Sequence, residues 1–191
     1  MKISDDFLLN KKKQLSRKDS SNIGEWDEKI KALCEKINNK ENYYTTSSCS
    51  GRIVLLKSSD KKIENAFLFR SHEKLVFKDF KKVLKKIDYN GIVEFQQTPC
   101  ILHVACRTIE DAFEIVRLAK LAGWKRSGIM SVDKKNRRVM VELHSTESMS
   151  FPIMHKKNLL VSEDYIKIVI CIANSKLERV WKKIKKLESF L

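Results

Sequence analysis

The sequence is poor in residues that interrupt regular structure, and it has no long apolar run. Its 191 residues include 5 glycines and 2 prolines, and no linker rich in Ser or Gly divides them. No stretch approaches the roughly 20 apolar residues that a membrane-spanning helix needs, and the N-terminus lacks the apolar segment of a secretory signal. We therefore expect one domain over residues 1–191, located in the cytoplasm and without a membrane partner.

The scarcity of glycine also argues against the largest class of nucleotide-binding enzymes. No Gly-x-Gly-x-Gly loop follows a predicted strand, and 5 scattered glycines cannot build the phosphate-binding turn of a Rossmann-type fold. A nucleotide-like cofactor would therefore need a different kind of pocket.

The chain has few cysteines, and their spacing does not pair them. The 5 cysteines are an odd number without paired spacing, which indicates reduced thiols. The pattern Cys100-x-x-His103-x-x-Cys106 superficially resembles a metal site. On an extended strand, however, His103 points away from both cysteines, and no second ligand pair has zinc-type spacing. The sequence therefore predicts no bound metal.

Charge of one sign dominates the chain. The 39 Lys and Arg residues outnumber the 24 Asp and Glu residues, which gives a net charge of +15. Such a positive field attracts polyanions, most simply nucleic acid, although lysine-rich surfaces also accompany life at high temperature. The Lys runs at 11–13, 182–183 and 185–186 indicate a solvated surface with at most nonspecific steering.

Hydrophobic periodicity predicts alternating hairpins and helices. The predicted helices are 4–14, 25–38, 77–87, 109–122 with Gly123 as the stop, and a long last helix capped by Ser162. The predicted hairpins pair 51–57 with 64–71, 91–97 with 101–106, and 127–132 with 137–144. This order favours an α+β fold of antiparallel hairpins that form a mixed sheet or pseudobarrel with packed helices.

The most informative segment is a run of six small polar side chains before Gly51 and Arg52. The six are Thr45, Thr46, Ser47, Ser48, Cys49 and Ser50. We expect them to form a loop that offers many small donors, a close backbone approach at the glycine and one fixed cation. These groups suit a polar or anionic ligand. The structural alternative is a polar loop at a strand end, whose hydroxyls cap their own backbone.

Five segments in collinear order carry a family resemblance, and this run lies within one of them, Tyr44 to Val54. The other four are Leu15 to Ser20, Pro99 to Arg107, Gly123 to Ile129, and His144 to Thr146 followed by Pro152. Together they resemble the tRNA wybutosine-synthesizing protein 3 methyltransferases. Three positions depart from the family pattern, because His144 replaces Arg, Glu147 replaces His, and Cys100 replaces an aromatic residue.

The resemblance implies methyl transfer from S-adenosylmethionine to a nitrogen of a wybutosine precursor, a tricyclic guanosine beside the anticodon of phenylalanine tRNA. The alternative is a noncatalytic tRNA-binding module that positions the anticodon loop for another enzyme. The small polar groups and the absence of exposed aromatic stacking motifs favour a pocketed enzyme.

Two histidines are candidates for the general base that removes the nitrogen-bound proton. His103 comes first, because its imidazole titrates in the useful range and the family motif is centred on it. Its place between Ile101 and Ala105 on a strand also fits a purely structural, hydrogen-bonded role. His144 is the second candidate. Cys49 is not expected to act as a nucleophile, because a nitrogen acceptor needs no covalent activation.

We expect the ligand-binding residues of the five segments to meet in one cleft formed by residues 45–52 and the strand ends near 103, 127 and 145, because their polar Ser, Thr and Gly positions repeatedly lie at strand or helix ends. The expected cofactor-binding residues are Thr46, Ser47, Ser48, Cys49, Ser50, Gly51, Ser127, Gly128, Ser145 and Thr146. The expected RNA-binding residues are Arg17, Lys18, Arg52, Arg107, Lys125 and Arg126.

Overall fold

The computed structural model describes residues 5–16, 27–59, 64–133 and 138–191. Within these ranges the helices are α1 (Asp6–Leu15), α2 (Glu28–Asn38), α3 (Phe77–Lys86), α4 (Ile109–Leu121) and α5 (Glu163–Phe190). The strands are β1 (Tyr43–Cys49), β2 (Arg52–Lys57), β3 (Phe67–Ser71), β4 (Ile92–Thr98), β5 (Ile101–Cys106), β6 (Gly128–Asp133), β7 (Arg138–His144), β8 (Met149–His155) and β9 (Asn158–Leu159).

Local capping signals explain where several helices begin and end. Ser162 caps α5, because its Oγ accepts a hydrogen bond from the backbone N–H of Tyr165 at 3.2 Å. Thr108 and Asp111 form a reciprocal capping box at the start of α4. Gly123 follows the end of α4 with φ +95°, a conformation that favours glycine. The predictions for Ser162 and Gly123 are thus confirmed, whereas the expected cap of the first helix, residue 4, lies outside the described residues.

The chain divides into two compact units that interleave along the sequence. The first unit comprises residues 1–50, 100–146 and 181–191, and the second comprises 51–99 and 147–180. Each unit contains one antiparallel sheet, with the order β1-β5-β7-β6 in the first and β3-β2-β4-β8-β9 in the second. The prediction of an α+β fold with antiparallel hairpins and a long C-terminal helix is confirmed.

One face of the sheet in the first unit is apolar and covered by helices. The side chains of Leu102, Val104, Val141 and Leu143 are fully buried on that face. Helix α2 packs on β1, and α4 packs mainly on β7. The helices contribute buried residues at helical spacing, for example Leu33 in α2 and Ile115 in α4, as an amphipathic helix requires.

The second unit is organised around aromatic side chains. Phe95 of β4 meets Phe80 of α3 edge-on, with ring centroids 5.9 Å apart, and stacks on Phe151 of β8 at 5.2 Å. Asn174 of α5 fixes the segment before α3, because its amide both accepts from and donates to the backbone of Leu75. These contacts place α3 on the sheet and join α5 to the segment that precedes α3.

One predicted hairpin is wrong. Strand β4 pairs with β2 and β8, whereas β5 pairs with β1 and β7 in the other sheet. The two strands are close in sequence, but Cys100 between them does not close a hairpin: its N–H donates to Ser145 Oγ, and its carbonyl accepts from the backbone N–H of Ser145. The hairpins β2–β3 and β6–β7 are present as predicted.

The expected polar loop is mostly a strand. Residues Tyr43–Cys49 form β1, and the turn is confined to Ser50 and Gly51, which has φ +88°. Thr and Tyr favour extended structure, and this tendency outweighs the hydroxyl content of the segment. Strand β8 had no predicted counterpart, because Pro152 interrupts its pattern. The pairing of β8 with β4 shifts register at Pro152, where a proline can be tolerated.

We retain one domain over residues 1–191 as a proposal, because α5 is one continuous helix whose residues contribute to both units. No helix in the described ranges combines the length and the apolar character needed to cross a membrane.

Candidate active site

Among the described residues, only part of the second face of the first unit's sheet is covered. Phe7 of α1 packs on Tyr44 and Ala105, with the rings of Phe7 and Tyr44 5.1 Å apart, and Met140 joins this cluster. Tyr44, Ala105 and Met140 are paired across β1, β5 and β7 and form one row of side chains. Because successive side chains of a strand alternate between faces, the second and fourth residues along β5 and β7 from this row lie on the same face.

We call the next two rows on this face the open face. The first row contains Ser47, His103 and Glu142, and the second contains Cys49, Ile101 and His144.

A β-bulge decides which hydroxyl of β1 reaches the open face. Thr45 is opposite Val104, but the next pairing joins Ser47 to His103, so that Thr46 is the additional residue. In an unbroken register Thr46 would lie opposite His103. Bulges commonly redirect a side chain in this way. The bulge therefore aligns Ser47 with His103 of β5 and Glu142 of β7 in one row.

These three side chains form a hydrogen-bonded chain across three strands. Ser47 Oγ lies 2.6 Å from His103 Nδ1, and His103 Nε2 lies 3.1 Å from Glu142 Oε2. An ionised carboxylate can only accept, so we assign the imidazole proton to Nε2. The Ser47 hydroxyl then donates to Nδ1. The His103 side chain is 27% exposed and that of Glu142 is 35% exposed, so a ligand on the open face can reach the chain.

Glu142 is the functional candidate that sequence reasoning missed. The alternation of buried Val139, Val141 and Leu143 with less buried residues could have placed Glu142 and His144 on a polar face. Its partner could not have been found, because the pairing of β7 with β5 depends on register between distant segments.

His144 lies on the open face but is tied to the backbone. Its Nδ1 is 2.6 Å from the carbonyl oxygen of Ser145, which can only accept, so this nitrogen carries a proton. The backbone N–H of His144 donates to Ser127 Oγ at 3.1 Å. The structure thus brings His144, at the end of β7, close to Ser127. Of the two ring nitrogens of His144, Nε2 is the one left for proton transfer.

Several hydroxyls that were expected to bind the cofactor make hydrogen bonds within the fold. Ser145 is fully buried and its Oγ accepts from the N–H of Cys100 at 3.1 Å. Ser127 donates to the carbonyl of Trp124 at 2.7 Å. Ser50 donates both its N–H and its hydroxyl to Asp27, the N-cap of α2.

Ser48 faces the helices and not the open face. Its hydroxyl is hydrogen-bonded to the thiol of Cys34 in α2, whose pKa burial raises to about 12. Thr146 accepts from Lys183 Nζ at 3.4 Å, and the carbonyl of Thr46 accepts from Gln14 at 3.4 Å. Of the expected cofactor set, Ser47, Cys49 and Gly128 therefore belong to the rows of the open face, and the binding roles of the set stay predictions.

Gly128 extends the row of Ser47, His103 and Glu142 onto the next strand. It pairs with Glu142 across β6 and β7. A Cβ built on Gly128 would have no described residue within 4 Å, so this end of the row is open toward the described part of the chain. No group of three or more His, Cys, Asp or Glu side chains in the described ranges is arranged to hold a metal ion.

The expected RNA-binding cations are dispersed. Lys125 and Arg126 are exposed between α4 and β6, and the N–H of Arg126 donates to the carbonyl of His144 at 3.2 Å. Arg107 is paired with Asp5, the N-cap of α1. Arg52 and Gly51 belong to the second unit, where the guanidinium lies 5.1 Å from the ring of Phe67. Residues 17 and 18 lie outside the described ranges.

Comparisons with known proteins identify the same family over nearly the whole chain. The profile of the family described as Methyltransferase TYW3 matches residues 8–191. A protein of Thermococcus sibiricus named tRNA(Phe) 7-((3-amino-3-carboxypropyl)-4-demethylwyosine(37)-N(4))-methyltransferase is 38% identical over 186 residues, which cover 96% of this chain and 93% of that protein. The tRNA wybutosine-synthesizing protein 3 homolog of Mus musculus is 34% identical over 98% of this chain and 74% of its own length.

Solved structures with a similar fold include proteins from two organisms. The PH1069 protein from Pyrococcus horikoshii superposes with a TM-score of 0.88 at 36% identity, and the match covers 100% of this chain and 98% of that one. A protein from Aeropyrum pernix shares the fold at 23% identity, with a TM-score of 0.75. The profile match and the near full-length identity show that the chain belongs to the TYW3 methyltransferase family.

Proposed function

We propose that this chain transfers a methyl group from S-adenosylmethionine to a nitrogen of the tricyclic wybutosine precursor in phenylalanine tRNA. Its relatives are named as methyltransferases for a demethylwyosine in tRNA(Phe), and they match over nearly the whole chain. The observation within the chain that supports catalysis is the hydrogen-bonded row of Ser47, His103 and Glu142. A noncatalytic tRNA-binding module would not need this row, so we favour the enzyme.

Ser47, His103 and Glu142 can remove the proton that the acceptor nitrogen loses on methylation. Ser47 is exposed, so its oxygen can accept the substrate proton while its own proton passes to Nδ1 of His103. Glu142 holds the opposite nitrogen and stabilises the imidazolium that results. A general base of this kind contributes roughly 10² to 10⁴ in rate.

The residues on and beside the open face fit the chemistry of S-adenosylmethionine. Bound S-adenosylmethionine supplies a methyl group that its positive sulfonium has already activated for transfer. Glu142 offers a negative charge to such a cation. The Tyr44 hydroxyl, on the same face, is buried without a hydrogen-bond partner among the described residues, which is unusual and suits a polar ligand group. Gly128 leaves room for a ligand beside Glu142.

Lys125 and Arg126 are the described cations best placed to hold RNA phosphates near the open face, because the backbone of Arg126 is bonded to that of His144. We place the reaction in the cytoplasm, where tRNA is modified and thiols stay reduced. None of the five cysteines forms a disulfide, which suits that compartment.

The proposal is tested by single-turnover methyl transfer from S-adenosylmethionine to phenylalanine tRNA that carries the precursor base. We expect His103→Ala to lower the rate by about 10² to 10⁴ and Glu142→Gln to lower it by a smaller factor. Neither change should weaken tRNA binding, because neither side chain is a cation. His155→Ala, an exposed histidine of β8 in the second unit, is the matched control. A wild-type protein that binds tRNA but transfers no methyl group would instead support the noncatalytic module.

A further inference from the structure

The second unit contains a pocket that none of the five sequence segments contributes to. It has a volume of ≈ 270 Å³ and lies between α3, the β8–β9 hairpin and the first turn of α5. Its floor is apolar and includes Phe77, Leu84, Met154 and Ile166, of which the last three are buried. The apolar floor and limited volume suit one planar ring system rather than a long chain.

The rim of this pocket is basic. Three lysines line it, namely Lys81, Lys85 and Lys157. Lys81 pairs with Glu163 at 2.5 Å and Lys157 pairs with Asp88 at 2.5 Å, whereas Lys85 makes no ion pair with any described residue. All four paired side chains are exposed by 38% or more, so these ion pairs are weak and a more highly charged anion can compete for the lysines.

The backbone that carries Lys157 is unusual. Lys156 and Lys157 form the two-residue turn between β8 and β9 with φ +47° and +67°. Such turns favour Asn and Gly, because both central residues need positive φ. Side chains held in an unfavourable backbone conformation concentrate at functional sites. Here that conformation brings a cation to the rim of an apolar pocket.

We propose that this pocket binds a nucleotide, with the base on the apolar floor near Phe77 and the phosphate on Lys81, Lys85 and Lys157. Aromatic side chains with neighbouring cations are the usual platform for an unpaired base and its phosphate. Two sources offer the same chemistry, a free nucleoside monophosphate and an unpaired nucleotide of an RNA. The RNA source rests on the proposed function, and the free nucleotide does not.

The test follows the methyl signal of Met154 by NMR while adenosine 5′-monophosphate and guanosine 5′-monophosphate are added to the full chain. We expect a saturable shift that Lys85→Glu weakens at least tenfold. Lys86→Glu, the neighbouring exposed lysine of α3 that does not line the pocket, should leave the affinity unchanged. Leu159→Trp, at the exposed rim, should block binding without loss of cooperative melting. If neither nucleotide shifts the Met154 signal at millimolar concentration, the proposal is overturned.

Two further arms separate the base from the phosphate and the free nucleotide from RNA. Ribose 5-phosphate should bind at least tenfold more weakly than adenosine 5′-monophosphate, and equal affinity would reduce the site to a phosphate site and overturn the nucleotide assignment. A single-stranded RNA of five nucleotides is titrated in the same way. If it binds with higher affinity than the monophosphate, as read from the shift of the Met154 methyl signal, RNA is the source. Weaker binding of that RNA identifies the free nucleotide. Methyl transfer is measured in parallel. If the protein transfers methyl groups but no nucleotide shifts the Met154 signal, this inference alone is disproved. If a nucleotide shifts the Met154 signal but the protein transfers no methyl group, the proposed function alone is disproved.

Discussion

Neighbouring hydroxyls of β1 have different roles, because successive side chains of a strand point to opposite faces. Ser47 meets His103 on the open face, whereas Ser48 meets the thiol of Cys34 beneath the helices. A change at Ser48 therefore perturbs the core. A change at Ser47 removes the hydroxyl that is bonded to His103 and that we propose connects it to a ligand.

Gly128 offers a test of the open face that barely disturbs the fold. We expect Gly128→Ala to leave the melting temperature unchanged or slightly higher, because no described residue lies within 4 Å of the added Cβ. The added methyl should nevertheless weaken binding of S-adenosylmethionine, measured by calorimetry, because it fills space beside Glu142. Unchanged affinity would place the cofactor elsewhere.

Gly123→Ala is the matched control for that substitution. Gly123 has φ +95°, and its added Cβ would lie 3.1 Å from Lys183 Cε. We expect a loss of about 1 to 2 kcal/mol in the free energy of unfolding, because alanine is strained in the left-handed region. Together the two variants separate a ligand effect from a backbone effect.

At the scale of elements, the caps were predictable and the strand partners were not. Ser162 and Gly123 act through their own neighbours in sequence, so local chemistry determines them. The pairing of β5 with β1 and β7 depends on contacts between distant segments, which a single sequence does not reveal. For the same reason His103 could be identified as a candidate base, but its partner Glu142 could not.

The hydrogen bonds between Cys100 and Ser145 hold the start of β5 to the end of β7. We expect Ser145→Ala to lower the free energy of unfolding by about 1 to 3 kcal/mol, because it leaves the buried N–H of Cys100 without its acceptor. Chemical denaturation measures this loss, and Ser131→Ala on exposed β6 is the control. A stable variant with lost cofactor binding would instead support the binding role that the sequence indicates.

Two buried thiols should make the first unit sensitive to alkali. Burial raises the pKa of Cys34 in α2, and of Cys106 in β5, from 9.0 to about 12. The unfolded chain loses these protons near pH 9 while the folded chain keeps them. The free energy of unfolding should therefore fall as pH rises from about 9 toward 12, by at most about 1.4 kcal/mol per pH unit for each thiol.

Urea unfolding at pH 8 and pH 10.5 measures this fall. The Cys34→Ala, Cys106→Ala double variant should show a flatter pH dependence, although its stability at pH 8 is lower. Cys171→Ala is the control, because that thiol is exposed. Equal slopes for the double variant and the wild type would contradict the role of the buried thiols.

At the scale of the whole molecule, the net charge of +15 should govern tRNA binding more than cofactor binding. Each phosphate contact releases counterions, so tRNA affinity should fall by about one log unit per log unit of salt for every contact. S-adenosylmethionine carries little net charge and releases few counterions. Binding isotherms at low and moderate salt measure both, and a flat tRNA affinity would contradict an RNA-binding role for the basic surface.

The interleaving of the two units sets an order for folding during synthesis. The first unit needs residues from three stretches of chain, and its last stretch, 181–191, includes the buried Ile184 and Leu187 of α5. The ribosome delivers those residues after every residue of the second unit. The core of the unit that carries Ser47, His103 and Glu142 can therefore be completed only after the final turns of α5 emerge.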